Sequence, residues 1–415
     1  MKIRPFSALR PATPELAARI ASLPYDVVDT DEARALAAGD PLSFLHVVRS
    51  EIDLPDGTDP HSATVYAQAK KALESLVADG KRVREEKPSL YLYRQTMDGA
   101  SQTAVVACCS IDDYASGRIL RHEKTRKDKE DDRTRHILET RAHTGQVFLC
   151  YEDLASIDAL VEAEAAQPPL CDFVAADGVG HAVWRVRDPA PLLAAFEAVP
   201  RAFIADGHHR SAASFRAGSG LRAAKDPSTL RPADADPGAD WFMACLFPAS
   251  QLRILPYNRC VRDLNGLAPR DLLKAALARG LSAASIPFPD IALPSHSCAM
   301  RLPDGWYRLT WPLTDAQAAD PVARLDVARL QEDFLAPVLG IGDPRTDPRI
   351  YFVGGIRGTA ELERDVDSGK AAVAFAMQPT AIGQVMSVAA AGQMMPPKST
   401  WFEPKLRSGL LVHAF

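Results

Sequence analysis

The sequence predicts an α/β protein, of the α+β kind, with an N-terminal lobe over residues 1–260 and a C-terminal α/β lobe over 261–415. Three observations support this. Short β-type runs alternate with amphipathic helical stretches along the whole chain. The run 201–215 passes from an apolar strand through a glycine turn into an alanine-rich helix. After Cys260 the character shifts to a helix-forming stretch and then to a proline-rich one at 286–294. At 415 residues the chain is too long for one small core.

Composition narrows the function classes. With 47% hydrophobic and 24% charged residues the chain matches an ordinary globular enzyme, not a disordered protein. A net charge of -5 leaves no general nucleic-acid footprint, so any basic patch must be local. No apolar run approaches the ~18 residues of a membrane span, and Met1-Lys2-Ile3-Arg4-Pro5-Phe6 lacks a signal-peptide apolar region. The seven cysteines include the adjacent Cys108-Cys109 and no Cys-x-x-Cys, which fits reduced, buried thiols in a cytoplasmic protein.

Taken in order, residues 1–10 alternate weakly and stop at Pro11, which predicts a first strand. Thr13 as N-cap and Pro14 in the first turn open a helix with Leu16, Ile20 and Leu23 on its apolar stripe. Pro24-Tyr25-Asp26-Val27-Val28 is a loop: Tyr25 can stack on a ligand and Asp26 can bind an amine, unless both only close the turn. A short helix at 31–38 is followed by a β-type run at 42–48, in which His46 reads equally as core or as ligand. Residues 53–61 form a loop, and 63–76 an amphipathic helix. Runs 89–94 and 103–111 are the strands of a hairpin with a glycine turn.

A strand at 146–151, a helix at 156–164, strands at 172–174 and 181–186 and a helix at 191–197 lead to the central strand at 203–205. Beyond it, 217–237 reads as a loop, 241–247 and 252–256 as strands, and 270–279 as a helix. The last third is expected to form strands at 298–302 and 306–311, then a helix at 322–339. Strands at 349–353 and 371–376 and a helix at 381–389 complete it.

Three polar stretches stand out from this frame. In Asp206-Gly207-His208-His209-Arg210 the glycine permits a tight turn and a close backbone approach to a ligand. The helix that follows directs its free N–H groups at the turn, and Arg210 adds a planar fork of donors. Asp206 can hold a cation or accept a proton, and the two imidazoles can ligate or carry protons. Residues 121–136 contain no apolar residue. One reading is a solvated, ion-paired helix or a mobile loop, with Lys124/Asp128, Lys127/Asp131 and Asp131/Arg135 at i,i+4. The other is a lid whose Lys and Arg reach phosphates while Glu123 serves as base. Near the end, Pro396-Pro397 stiffens the segment carrying Lys398, Ser399 and Thr400, which suits phosphate or carboxylate binding as well as a tail wrapping an edge strand.

These stretches carry a resemblance. Met1 to Phe6 with Pro24 to Val28, His122-Glu123-Lys124-Thr125 through Arg133-Thr134-Arg135-His136, the Asp206 to Arg210 turn, and Met395-Pro396-Pro397-Lys398-Ser399-Thr400 together resemble the bacterial family filed as domain of unknown function 1015. The likeness runs from end to end of the chain. The turn is also similar to the phosphate-binding turn of the ParB and sulfiredoxin superfamily, and in particular to its free-serine kinases, which make O-phospho-L-serine. The resemblance implies a ParB/sulfiredoxin-like core with large mixed-sheet additions. It implies Glu123 as base, with Asp206 and His209 as further catalytic groups and Mg²⁺ at Asp206.

Phosphate contacts are implied for Gly207, His208, Arg210 and Ser211, and for Lys124, Thr125, Arg126, Lys127, Arg133 and His136. Substrate contacts are implied for Tyr25, Asp26, Lys398, Ser399 and Thr400. The spacing from Glu123 to the turn is longer than in the small kinases. Trp401-Phe402-Glu403 stands where the family often has Tyr-Phe-Tyr, and Arg141-Ala142-His143 precedes Thr144-Gly145 where Asn is common. Those departures touch the tail's substrate contacts. His208 and His209 stand beside the position of sulfiredoxin's catalytic cysteine, so sulfinic-acid reduction is not expected.

The expected function is therefore a serine kinase: phosphoryl transfer from ATP or ADP to a small hydroxy amino acid, with free L-serine first. There is no Walker A motif and no protein-kinase signature. Two alternatives stand. A metal-dependent phosphoesterase would use Asp206, His208 and His209 as ligands, although Gly207 interrupts the usual contiguous pattern. A non-catalytic nucleotide-binding switch of ParB type is the other; overall acidity speaks against DNA, while the basic run admits a local contact. The expected partners are the amino acid and the nucleotide, without membrane or nucleic acid, and a homodimer is admitted.

Overall fold

The computed structural model describes residues 1–224, 238–289 and 293–415, and the chain is a mixed α/β protein. It divides into two compact units: Met1–Leu252 together with Pro404–Phe415, and Arg253–Glu403. Among the described residues no helix is long and apolar enough to cross a membrane.

A nine-stranded mixed sheet frames the first unit. Its order is Ile119–Leu120, Ala202–Asp206, Val147–Tyr151, Trp241–Pro248, Ala100–Ser110, Tyr91–Met97, Gly180–Arg185, Cys171–Val174, with Ile3–Arg4 paired to Ala100–Ser110. Ala202–Asp206 runs parallel to Ile119–Leu120 and antiparallel to Val147–Tyr151. The central strands are near-continuous apolar runs because both of their faces are covered. On one face Leu92, Val105, Leu149, Ile204 and Leu246 pack with Ile157, Val161, Leu192 and Phe196 of the helices Ala155–Ala165 and Ala190–Glu197. The hairpin closes through Asp98 and Gly99, both at positive φ, with Met97 facing Ala100. All seven cysteines are buried and free, as their spacing implied.

A second cluster joins the N-terminal helices Pro14–Ile20, Thr30–Ala37 and Ala63–Ala78 around Ile20, Phe44, Val47, Leu73 and Val412. Val412 belongs to the tail, which is stitched in by backbone bonds. Ser22 and Ser408 exchange N–H and C=O at 3.1 and 2.9 Å, and Leu9 and Val412 do so at 2.9 and 3.0 Å. Arg82, 1% exposed, donates to the carbonyls of Gly409 and Leu9 at 2.5 and 2.6 Å.

The second unit is built on a six-stranded antiparallel sheet, in the order Ser282–Ile286, Gly305–Thr310, Ser297–Leu302, Val373–Ala376, Tyr257–Val261, Ile350–Gly354. Helix Gly358–Asp367 lays Leu362 and Val366 on a core with Cys260, Ala299, Trp306 and Val353. Arg253–Leu255 and Trp401–Glu403 form a separate antiparallel pair.

Several elements differ from expectation. The first strand is two, Ile3–Arg4 and Leu9–Pro11, and the second pairs instead with Arg82–Arg84. The apolar run at 42–48 is a helical turn, Leu45–Val48, because a short buried run carries no period to separate helix from strand. The loop expected from 217 begins as helix, which continues to Ala223; residues 225–237 lie outside the described residues. The long helix expected at 322–339 is a short one, Asp326–Arg329, continued by a wider π-type turn at Leu330–Leu335. Residues 121–136 form neither a solvated helix nor a loop throughout. Helix Lys127–Thr140 is docked, and it docks through buried polar groups: Asp132 accepts from Tyr66 Oη at 2.8 Å, and His136 Nε2 meets Val47 O at 2.9 Å.

The tail passes Phe44 at Gly409, where φ is +91° and an added Cβ would lie 2.8 Å from Phe44 Cβ. Gly409→Ala is expected to destabilise the first unit by about 2–4 kcal/mol through strain and overlap together. Urea unfolding checks this, and a change within about 0.5 kcal/mol would contradict the packing described.

Candidate active site

Ala202–Asp206 ends at a register irregularity between Ile204 and Asp206, which turns the Asp206 side chain out of the ladder. Gly207 follows at φ +93°, a left-handed conformation in which a side chain would be strained, and an added Cβ would stand 3.2 Å from Arg210 Cζ and Nε. The helix His208–Ala223 starts there. Its first N–H groups have no carbonyl one turn earlier, so the turn faces the positive end of a long helix dipole. Ser211 closes the first turn: its N–H and Oγ both reach Gly207 O, at 2.9 and 3.1 Å, and its hydroxyl is wholly buried.

Asp206 is held on both oxygens. Oδ1 accepts the Gly207 N–H at 2.7 Å and faces an Arg210 nitrogen at 3.8 Å, while Oδ2 takes Lys405 Nζ at 3.0 Å. Burial alone would raise its pKa, but the charges of Lys405 and Arg210 and the Gly207 N–H outweigh it and hold the carboxyl well below its usual range. Arg210 also faces Asp26 at 3.5 Å and donates to Gln146 O, while its Nε is buried without a hydrogen-bond partner.

The two histidines reach away from the turn and grip the segment before helix Lys127–Thr140. The His122 N–H donates to His208 Nε2 at 3.4 Å, and the Arg126 N–H to His209 Nε2 at 3.0 Å. With both Nε2 atoms as acceptors, these bonds assign the ring protons to Nδ1. His208 Nδ1 then points at Glu123 Oε2, 3.9 Å away, an approach longer than a hydrogen bond. Glu123 sits between the two anchored backbone positions and is 47% exposed.

A profile of the family described as "Protein of unknown function (DUF1015)" matches residues 3–328. The chain belongs to this family. No curated protein matches it. Similar solved structures include a free serine kinase in complex with AMP, 12% identical at TM-score 0.36, over 74% of this chain and 92% of that one. Another is SbnI with C-terminal truncation from Staphylococcus aureus, 12% identical at TM-score 0.39, over 73% and 85% of the two chains. A third is a conserved hypothetical protein from Pyrococcus furiosus, 11% identical at TM-score 0.34, over 74% and 95%. Likenesses this low leave the site of the DUF1015 protein to be read from its own residues.

The remaining residues singled out from the sequence fall into distinct settings. Arg126 pairs with Asp128 and Lys127 with Asp131 on the exposed side of the helix start. Thr125 donates to Glu130, and Arg216 of the site helix bridges Glu130 and Asp131 at 3.3 and 2.5 Å. Lys124 is exposed. Arg133 is drawn inward, bonded to Asp132 and seated 4.1 Å above the Tyr25 ring, and His136 is in the core. Tyr25, Arg133, His136, Thr144, Arg210 and Ser408 line a small open cleft. Lys398, Ser399 and Thr400 belong to the second unit. There Lys398 has φ 56° with its Nζ over the Tyr257 ring, and Ser399 Oγ donates to Pro396 O at 2.6 Å. Lys405 had no signal of its own in the sequence, and His122 only opened the His122-Glu123-Lys124-Thr125 motif.

The donors around Asp206 do not fit a divalent ion as they stand. Mg²⁺ asks for oxygen ligands in near-octahedral array, and here the carboxylate already carries an ammonium and an amide. Among the described residues no three His, Cys, Asp or Glu side chains gather as a metal centre.

The buried imidazoles of the DUF1015 protein give its first unit a pH dependence. Burial pulls His122 and His136 down to about 4 and His181 to about 3, and pushes His143 and His208 well below the usual value. Each is neutral when folded and takes up a proton on unfolding, so stability falls as pH drops through the unfolded value near 6.5. At pH 5 His122, His136 and His181 each contribute a loss of about 2 kcal/mol, and His143 and His208 act in the same direction. His46, raised by its hydrogen bond to Asp53, has the opposite sign. The unfolding midpoint is expected to fall by roughly 10 °C or more between pH 7 and pH 5. A flat profile in calorimetry would mean that these rings are not neutral in the folded unit.

Proposed function

We propose that this protein is a nucleotide-dependent kinase of a small hydroxy amino acid, with free L-serine the first acceptor and ATP or ADP the donor, on a core of the ParB/sulfiredoxin type. One observation carries the reading: the two imidazoles of the phosphate-type turn anchor, at His122 and Arg126, the segment that bears Glu123. A carboxylate base and an anion-binding helix start are thereby tied together.

Phosphoryl transfer asks for positioning and charge neutralisation more than for covalent help. In this reading the helix start and Arg210 hold the donor's phosphates. Glu123 accepts the proton of the acceptor hydroxyl as that oxygen bonds to phosphorus and the bond to the departing nucleotide breaks. Tyr25, at the cleft, and Asp26, which faces Arg210, bind the amino acid. His208 presents its Nδ1–H on the side of Glu123, 3.9 Å from Oε2, and its Nε2 fixes the backbone just before it. Lys124, Arg126 and Lys127 lie on the exposed approach and meet the transferred group. No step is drawn through Mg²⁺, given the engagement of Asp206. The phosphoesterase alternative needs His208 and His209 as ligands, and both Nε2 atoms are spent on backbone N–H groups.

Glu123→Gln is expected to lower serine phosphorylation by about 10²–10⁴-fold while leaving nucleotide affinity within a few-fold of wild type. Mass spectrometry of amino-acid products and calorimetry of ADP binding measure the two. Product lost together with nucleotide binding would make Glu123 structural, and nucleotide bound with no acceptor phosphorylated would favour the switch.

A further inference from the structure

We propose that Lys405 is a phosphate-binding residue of this site, standing where a divalent ion would otherwise neutralise Asp206. The inference deepens the kinase reading and rests on it for the identity of the nucleotide. Lys405 comes from the tail, far from the turn in sequence, yet its Nζ lies 3.0 Å from Asp206 Oδ2 with the side chain 13% exposed. The backbone around it is fixed without that contact. Gln95 Nε2 donates to Lys405 O at 2.9 Å; the Arg407 N–H reaches Tyr93 Oη at 3.2 Å, and Arg407 Nε reaches His181 Nε2 at 3.2 Å. Arg407 also pairs with Asp177, and Ser408 with the Ser22 backbone. The ammonium is thus not needed to moor the tail.

Charge around the turn points to an anion. Asp206 and Asp26 are balanced by Lys405 and Arg210, which leaves the positive end of the helix His208–Ala223 over. A second, independent feature is the Arg210 side chain, 10% exposed, whose Nε has no hydrogen-bond partner directly beside Gly207. An ammonium has three N–H donors and can hold Asp206 and a phosphate oxygen at once. A divalent ion at the same carboxylate would have to displace it. The site therefore supplies its own cation, and a diphosphate binds here without metal.

The test is titration calorimetry of the full chain with pyrophosphate and with ADP, each in EDTA and in Mg²⁺, alongside the serine phosphorylation assay. Wild type is expected to bind both in EDTA. Lys405→Met is expected to weaken both by about ten- to a hundredfold, the loss of one charge-assisted bond, when titrated below its melting temperature, which falls because Asp206 loses a partner. Lys405→Arg should stay within a few-fold of wild type. Unchanged binding by Lys405→Met, a loss of binding that Lys405→Arg does not rescue although it restores the melting temperature, or wild-type binding only with Mg²⁺ would each overturn the proposal. Serine phosphorylated with Lys405→Met binding normally sinks this inference and leaves the kinase standing. Pyrophosphate binding that depends on Lys405 with no acceptor phosphorylated does the reverse, and wild type binding neither anion removes both.

Discussion

The turn of the first unit is organised around one half-buried charge. Asp206 leaves its strand at a bulge, inside a sheet whose central strands are apolar on both faces, and a carboxylate there is costly unless it is paired and hydrogen-bonded. Its partners come from three places: the Gly207 amide next to it, Arg210 one turn along the helix, and Lys405 from the end of the unit. The amide and the arginine are available as soon as the turn forms. The lysine is available only when the tail is home. Much of the long-range architecture then reads as what brings it home: Arg407 reaching Tyr93 and His181, Arg82 holding the carbonyls of Leu9 and Gly409, and the Ser22 and Val412 backbone bonds.

The histidines of the turn show how burial redirects chemistry. An imidazole pressed against a second one, as His208 is against His122 with ring centroids 4.5 Å apart, cannot keep a proton at neutral pH. Neutral rings have one acceptor and one donor each, and here the acceptor is committed to a backbone N–H. That commitment removes them from metal binding at Nε2 and gives them a different task, the placement of the Glu123 segment. Of the positions suggested by sequence for chemistry, those of the first unit at 122–126 and 206–210 meet at one turn, where the imidazoles hold the Glu123 segment.

What was legible from sequence had local causes. The strand, glycine and helix around 206 announce themselves because an apolar run, a residue tolerant of positive φ and an alanine-rich stretch follow in order. The Asp98-Gly99 hairpin is equally local. The docking of Lys127–Thr140 was not legible, because its contacts are polar and distant: Asp132 to Tyr66, His136 to Val47, Glu130 and Asp131 to Arg216. A polar helix with buried, satisfied partners is indistinguishable in sequence from one that faces water. The helical turn at Leu45–Val48 was missed for the opposite reason, since everything in it is apolar or small and no period shows. Lys405 and Lys398 stand in neighbouring proline-rich settings, and nothing in the string ranks one above the other. Only the fold gives Lys405 its carboxylate.

These contacts also divide the polar run into a fixed part and a part that can respond to a ligand. Helix Lys127–Thr140 is moored by a buried carboxylate, a buried imidazole and an arginine stacked on Tyr25, so moving it as a body would break several satisfied buried groups at about 1–3 kcal/mol each. The stretch from Glu123 to Thr125 is different. It is held at its two ends by single backbone bonds to His208 and His209, and Glu123 and Lys124 between them are exposed. Releasing it breaks at least those two bonds and the Thr125–Glu130 bond, at about 0.5–1.5 kcal/mol each, an amount that binding a charged ligand can supply. The stretch is thus a segment of a few residues tied to two imidazoles, and the helix behind it is its frame.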